Sequence, residues 1–315
     1  IKPFEIPLIE QQLVKEGIKI DDILKLCDLH VALFREALKK QELKDVPKGH
    51  PVDLLMRENE WILKNSEILG LYASQLVNTN DVEKARNLLQ TLLKITGSLR
   101  KIRVHYRKIQ MLIFPYLERR GIVAVPRVLW GREDQVIVKL RKFYDQAVKA
   151  LDSNNLDAMK EAGKIATEIA QEIGELVFRE NKILFPAVYV LFSEGEWAAI
   201  SKIADKIGWI IDTEPREWRP QAEPKYPYMI SGVVTKEQLE KLPRELVSMA
   251  MQKGIEPDNY DIKKPGDEEY DTGFLNKEEV EGLFRALPLE ITYANRDHRV
   301  RIYSCILYTS DAADE

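Results

Sequence analysis

The chain has 315 residues, 45% of them hydrophobic and 31% charged, with a net charge of −4. This is the composition of a soluble globular protein of roughly two domains, and it disfavours general nucleic-acid binding, which needs clustered positive charge. No apolar run approaches the ~18–20 residues of a membrane span, the start IKPFEIPLIEQQ has no signal-peptide layout, and two cysteines, Cys27 and Cys305, make no disulfide framework. The expectation is a cytoplasmic protein with neither membrane nor nucleic-acid partner.

Residues 1–212 read almost wholly as helix. Asp21 and Asp22 open a first segment, in which Ile23, Leu24, Leu26, Val31, Leu33, Phe34 and Leu38 recur at helical spacing. Gly49, His50 and Pro51 mark the next start, with Pro51 suited to the first helical position. A long amphipathic stripe follows through Leu54, Leu55, Trp61, Ile62, Leu63, Leu69 and Leu71. Asn80 or Asp81 opens another helix, and more are expected around 99–119, 127–152, 154–174 and 175–192. Ser193 and Glu196 form a capping-box pattern for one reaching about residue 207. Long helices with short connections and no clear strands predict an antiparallel bundle.

The basic stretch LRKIRVHYRK, residues 99–108, reads as a solvated helix face. IQMLIFPYL (109–117) and NKILFPAVY (181–189) share an aliphatic pair followed by Phe-Pro. Each proline removes a backbone hydrogen bond and should kink its helix about one turn earlier, suggesting a duplicated helical hairpin. Residues 214–227, EPREWRPQAEPKYP, read as a proline-rich linker. Thr235 and Gln238 cap a short helix, and an acidic, turn-rich stretch follows. Asn276, with Glu279 three residues on, opens a helix through Leu283 and Phe284. LEITYANRDHRVRIYS (289–304) then alternates about Asn295–His298 as a β-hairpin, the one convincing strand signal. Residues 305–315 resemble a translated sequencing-adapter read and are set apart as a non-native tail.

LCDLHVALFREAL, GHPVDLLMRENEWI, HYRKIQMLIFPYLERRGI, VPRVLWGRED, ELVFRENKILFP and the hairpin together resemble one family. It joins a helical domain of unknown function, a hemerythrin-like (HHE cation-binding) domain and a C-terminal PAS domain. The resemblance implies a mainly α chain, a hemerythrin-like bundle followed by a small α+β segment that starts a PAS fold. Its domains would be an N-terminal helical domain (1–48), the bundle (49–212), a linker with a short helical region (213–274) and the truncated PAS start (275–304).

The family pattern also implies metal ligands, and several are replaced. Gln110 stands where a Glu is expected, Glu133 where a His is, and Leu176 and Asn181 where a second His and Glu would be. The remaining candidates are His50, Glu58, His105 and Glu133, with His30. A mixed His and Glu set of this kind could hold one iron, manganese or zinc ion, though not a histidine-rich di-iron pair. Competing structural roles are His50 as an N-cap beside Asp53, His30 as a core residue near Cys27, and Glu58 and Glu133 paired with Arg57 and Arg132.

No phosphate loop, Cys pair or nucleophile elbow argues for an enzyme. The expected function is a sensory or regulatory protein whose bundle binds a metal or small ligand and signals through a PAS domain, which the resemblance suggests would dimerise. The alternatives are a di-iron oxygen-binding or redox protein, and a metal-free bundle serving as an interaction module.

Overall fold

The computed structural model of the protein describes residues 43, 45–120, 122, 124–230, 265–270, 273–287, 289 and 291–304. His30, both cysteines, and the helices expected near 22–38 and 235–254 lie outside the described residues. The chain divides into two units, residues 1–259 and 260–315.

In the first unit, four long helical runs pack as a bundle. The first is α1 (Pro51–Asn78). The second comprises α2 (Val82–Leu99), α3 (Ile102–Lys108), a π-helical turn (Ile109–Ile113) and α4 (Phe114–Glu118). The third is α5 (Ala124–Ser153). The fourth is α6 (Leu156–Arg179), a second π-turn (Glu180–Leu184) and α7 (Phe185–Leu191). α8 (Glu194–Ile207) packs across α1, α3 and the first π-turn. Short connections force neighbouring runs antiparallel. Their apolar stripes meet in one core that includes Ile62, Leu69, Leu92, Ile113, Phe143, Ile173 and Phe185, all fully buried.

The helix starts follow local chemistry. His50 caps α1: its Nδ1 accepts from Val52 N at 3.1 Å, and Asp53 Oδ2 accepts from Gly49 N at 2.9 Å. Asp81 caps α2 through Lys84 N, and Asn155 caps α6 through Ala158 N. Ser193 and Glu196 complete their capping box on α8. Glu196 also clasps Arg120 through both carboxylate oxygens, at 2.6 and 2.8 Å, fastening α8 to the end of α4.

Both Phe-Pro repeats carry the same irregularity. Phe114 N–H donates to Ile109 O and Phe185 N–H to Glu180 O, each spanning five residues instead of four. The proline that follows has no N–H to continue the α ladder, and one widened turn absorbs the mismatch. The break expected between 174 and 175 is absent, and α6 runs unbroken through Gly174. One interior glycine costs a helix only ~1 kcal/mol, which packing along α1 and α5 outweighs. Trp130–Asp134 lies within α5.

The proline-rich stretch is no free linker in its described part. Glu217 N and Trp218 N both donate to Lys48 O, Lys225 N donates to Gly195 O, and Tyr116 OH donates to Lys225 O. Residues 208–225 thus run back along the bundle as a strap.

In the second unit, β3 (Ile291–Ala294) pairs antiparallel with β4 (Val300–Ser304), so the expected hairpin forms about Asn295–His298. Asn276 and Glu279 cap α9 (Lys277–Ala286) reciprocally. A second antiparallel pair, β1 (Glu268–Tyr270) with β2 (Gly273–Leu275), lies where the sequence suggested only an acidic turn. Its Glu-Glu-Tyr strand is exposed throughout, so it lacks the apolar alternation that marks a half-buried strand.

Candidate metal centre

Five ionisable side chains are almost wholly shielded from solvent in the middle of the bundle: Glu58 from α1, His105 and Lys108 from α3, Glu133 from α5, and Glu180 from the second π-turn. His105 is the hub. Its Nδ1 lies 2.7 Å from Glu58 Oε2 and its Nε2 lies 2.9 Å from Glu180 Oε2. An imidazolium can donate from both nitrogens at once. Burial alone would lower the His105 pKa, yet Glu180 and Glu58 raise it to about 9, so the ring is charged at neutral pH.

Lys108 supplies the second positive charge. Its Nζ donates to Glu58 Oε1 at 2.8 Å and to Gly208 O at 2.7 Å, and lies 4.5 Å above the Trp209 ring. Ile210 N donates to the same Glu58 oxygen at 3.0 Å. Burial would push the Glu58 carboxyl up, but His105 and Lys108 hold it below its ordinary value. Burial also lowers the Lys108 pKa, against the pull of Glu58.

Glu133 differs. Gln110 Nε2 donates to its Oε2 at 2.7 Å, and burial beside Glu180 drives its pKa well above the carboxylate range. Of the cluster's carboxyls it is the one that burial and a neighbouring carboxylate push towards the neutral form. Asn59 Nδ2 donates to Glu180 Oε2 at 2.8 Å and to Asn181 Oδ1 at 2.9 Å. Four buried atoms in these side chains have no partner: Glu133 Oε1, Glu180 Oε1, Asn59 Oδ1 and the Tyr106 hydroxyl.

Of the residues expected from sequence, the structure joins Glu58 directly to His105. Glu133 lies within electrostatic reach through Glu180. His50 is elsewhere. It precedes Glu58 by eight residues, roughly 12 Å along a helix axis. Its ring packs edge-on against Tyr189, Trp197 and Trp218, with centroids 4.7–5.3 Å away. Burial lowers its pKa to about 4, keeping it neutral in this aromatic box. Arg57 does not neutralise Glu58. It reaches Asp53 and the carbonyls of Asp212, Thr213 and Glu214.

Sequence reasoning passed over Lys108 and Glu180. Lys108 sits three residues after His105 and so shares its helix face, within a stretch read as solvated. Glu180 directly precedes Asn181, the position that the family resemblance marks for a ligand. Glu180 keeps the ordinary four-residue bond to Leu176 O, and both it and Asn181 accept from Asn59.

A bundle of long antiparallel helices with imidazole and carboxylates converging in its core is the architecture of helical cation-binding domains. Residues 50–188 match the hemerythrin HHE cation binding domain, and residues 1–40 match a family of unknown function, DUF438. Residues 50–188 are thus similar to a hemerythrin HHE domain, a likeness that suggests metal or ligand binding. No curated protein matches the chain. Among the described residues, no helix is long and apolar enough to cross a membrane.

The donors do not fit a histidine-rich di-iron pair, because one imidazole, His105, stands among three carboxylates. Two buried carboxyl oxygens, Glu133 Oε1 and Glu180 Oε1, meet no donor. No group of three or more His, Cys, Asp or Glu side chains among the described residues is arranged to hold a metal. The physical reason is that His105, Lys108, Gln110 and Asn59 already occupy the remaining carboxylate oxygens.

Proposed function

We propose that the chain is a regulatory protein whose bundle responds to one divalent cation held by Glu58, His105, Glu133 and Glu180. The observation that carries this is the pair of unpartnered buried oxygens, Glu133 Oε1 and Glu180 Oε1, on two carboxyls that feel each other's charge, Glu180 being bonded to the charged imidazole of His105. A bound ion would satisfy acceptors that the protein leaves without donors, an arrangement otherwise costing about 1–3 kcal/mol per group. When bound, the ion supplies positive charge that draws these donors together. Glu58, His105 and Glu180 orient the set through their hydrogen bonds, and the surrounding apolar core excludes water.

A regulatory role is favoured over catalysis because the centre is closed and its charges are mutually neutralised. The output would be a PAS domain begun by α9 and the β3–β4 hairpin, a reading supported by the hairpin's position and by the sequence resemblance. Elemental analysis of the full chain, purified aerobically and anaerobically and then titrated with Mn(II), tests the cation. Stoichiometric metal is expected, weakened at least tenfold by Glu133→Gln with Glu180→Gln. No transition metal in either preparation, together with no Mn(II) retention, would overturn it.

A further inference from the structure

The second helical run and α5 meet along an edge that is open to solvent. At one end the Arg100 guanidinium lies 4.9 Å above the Tyr144 ring, and at the other the Phe114 and Trp130 rings are 6.2 Å apart. Between these contacts Arg103, Arg107 and Met111 on the second run and Val138 and Arg141 on α5 are all exposed. Arg100, Arg103 and Arg107 follow at i, i+3 and i+7, so they share one helix face. Among the described residues no ion pair holds Arg103, Arg107 or Arg141. One acid, Asp134, stands among the four arginines, so this edge is basic in a chain of net charge −4. Met111 and Val138, each more than half exposed, add an apolar strip.

Residues 265–287 have the opposite character. Asp267, Glu268, Glu269, Glu278, Glu279 and Glu281 stand there against Lys277 and Arg285 alone. Within that stretch, Val280, Leu283, Phe284 and Leu287 recur at i, i+3, i+4 and i+7 along α9, bordered by Glu279 and Glu281. No residue of α9 is buried, and Leu283 is half exposed. At about 1.5 Å per residue the ten-residue α9 spans ~15 Å, within the ~20 Å from Arg100 to Phe114.

We propose that the basic edge is a docking surface for α9 of a second copy of this chain. The apolar stripe of α9 lies on Met111 and Val138, and its glutamates meet the arginines. This is the helix-on-groove mode of recognition, with charge setting orientation and the apolar contact supplying adhesion. Each copy carries both surfaces, so two copies close on each other about a two-fold axis. The contact is independent of any cation in the bundle.

The test is sedimentation velocity of the full chain over a concentration series at low and high salt. The wild type should dimerise, at least tenfold more weakly in high salt. Arg103→Glu with Arg107→Glu should weaken the dimer at least tenfold, and so should Glu278→Arg with Glu281→Arg, which leaves Glu279 to cap α9. Mixed in equal amounts, these two variants should recover the dimer, because each now supplies the charge that the other's surface lacks. Leu283→Asp should weaken it with every arginine in place. A wild type that stays monomeric overturns the proposal, as does a dimer indifferent to the charge reversals or to Leu283→Asp. A mixture that associates no better than either variant alone overturns it too. Monomers that co-sediment with phosphatidylglycerol vesicles, and not with phosphatidylcholine vesicles, give the edge to a lipid surface and overturn the dimer. Should either charge-reversed variant fail to fold, the salt series and Leu283→Asp still decide.

Discussion

Glu58→Gln removes the one carboxylate on which both buried cations converge. Glu58 accepts from His105 Nδ1 at 2.7 Å and from Lys108 Nζ at 2.8 Å, and both side-chain pairs are within 1% of complete burial. The amide of Gln has a single acceptor oxygen. It can serve Lys108 and Ile210 or it can serve His105, and its NH2 then faces a donor. Removing one partner of a buried ion pair costs about 3–5 kcal/mol, because the other charge is left without compensation. Here no surface screening reduces that figure. At ~2–4 °C per kcal/mol for a unit of this size, Tm should fall by roughly 6–20 °C. Adding Lys108→Met to Glu58→Gln removes the stranded charge, so the double variant should be more stable than the sum of the two losses by at least about 1 kcal/mol. Urea unfolding at pH 7, followed by far-UV circular dichroism, measures all four proteins. A loss below about 1 kcal/mol for Glu58→Gln, or strict additivity in the double variant, would refute the charge-neutralised centre.

Burial beside Glu180 pushes the Glu133 carboxyl towards its neutral form, so Glu133→Gln should shift stability by less than about 1 kcal/mol in the same assay, in contrast to Glu58→Gln. His50 has a pKa of about 4 when folded and 6.5 in its unperturbed state. Its contribution is therefore complete above pH 6.5 and lost as pH falls from 6.5 to 4, up to roughly 3 kcal/mol. His50→Asn, which retains an N-cap without titrating, should flatten that limb of the stability–pH curve. Gly49 has φ +82°, and an added Cβ would lie 2.6 Å from Arg216 Cα. Gly49→Ala should cost about 1–3 kcal/mol in strain and make the strap near residue 216 more susceptible to limited proteolysis.

Much of the architecture is written in local chemistry. Pro51 after His50, Asp81 before an apolar stripe, and Ser193 with Glu196 each mark a helix start using side chains within a few residues of the backbone they cap. The paired Phe-Pro steps likewise announce two irregular turns, since a proline loses its hydrogen bond wherever it stands. The β3–β4 hairpin is legible because its alternation and its turn are both local. By contrast, β1–β2 carries no such alternation and was invisible.

The centre obeys a different rule. Composition shows that histidines are few, and the family resemblance singles out Glu58, His105 and Glu133. Periodicity cannot say that Lys108 turns inward, because a lysine at that spacing suits a solvated face equally well. Only the crossing of α1, α3 and the segment after α8 decides that, by placing Glu58, Gly208 and Trp209 around its ammonium. Glu180 enters because Asn59 of α1 and His105 of α3 come to lie beside it, and His50 lies apart because eight residues of helix carry it to the end of the bundle. Caps, kinks and amphipathic stripes are short-range and the sequence determines them, whereas the partner of a buried charge is chosen by whichever distant backbone comes to lie beside it.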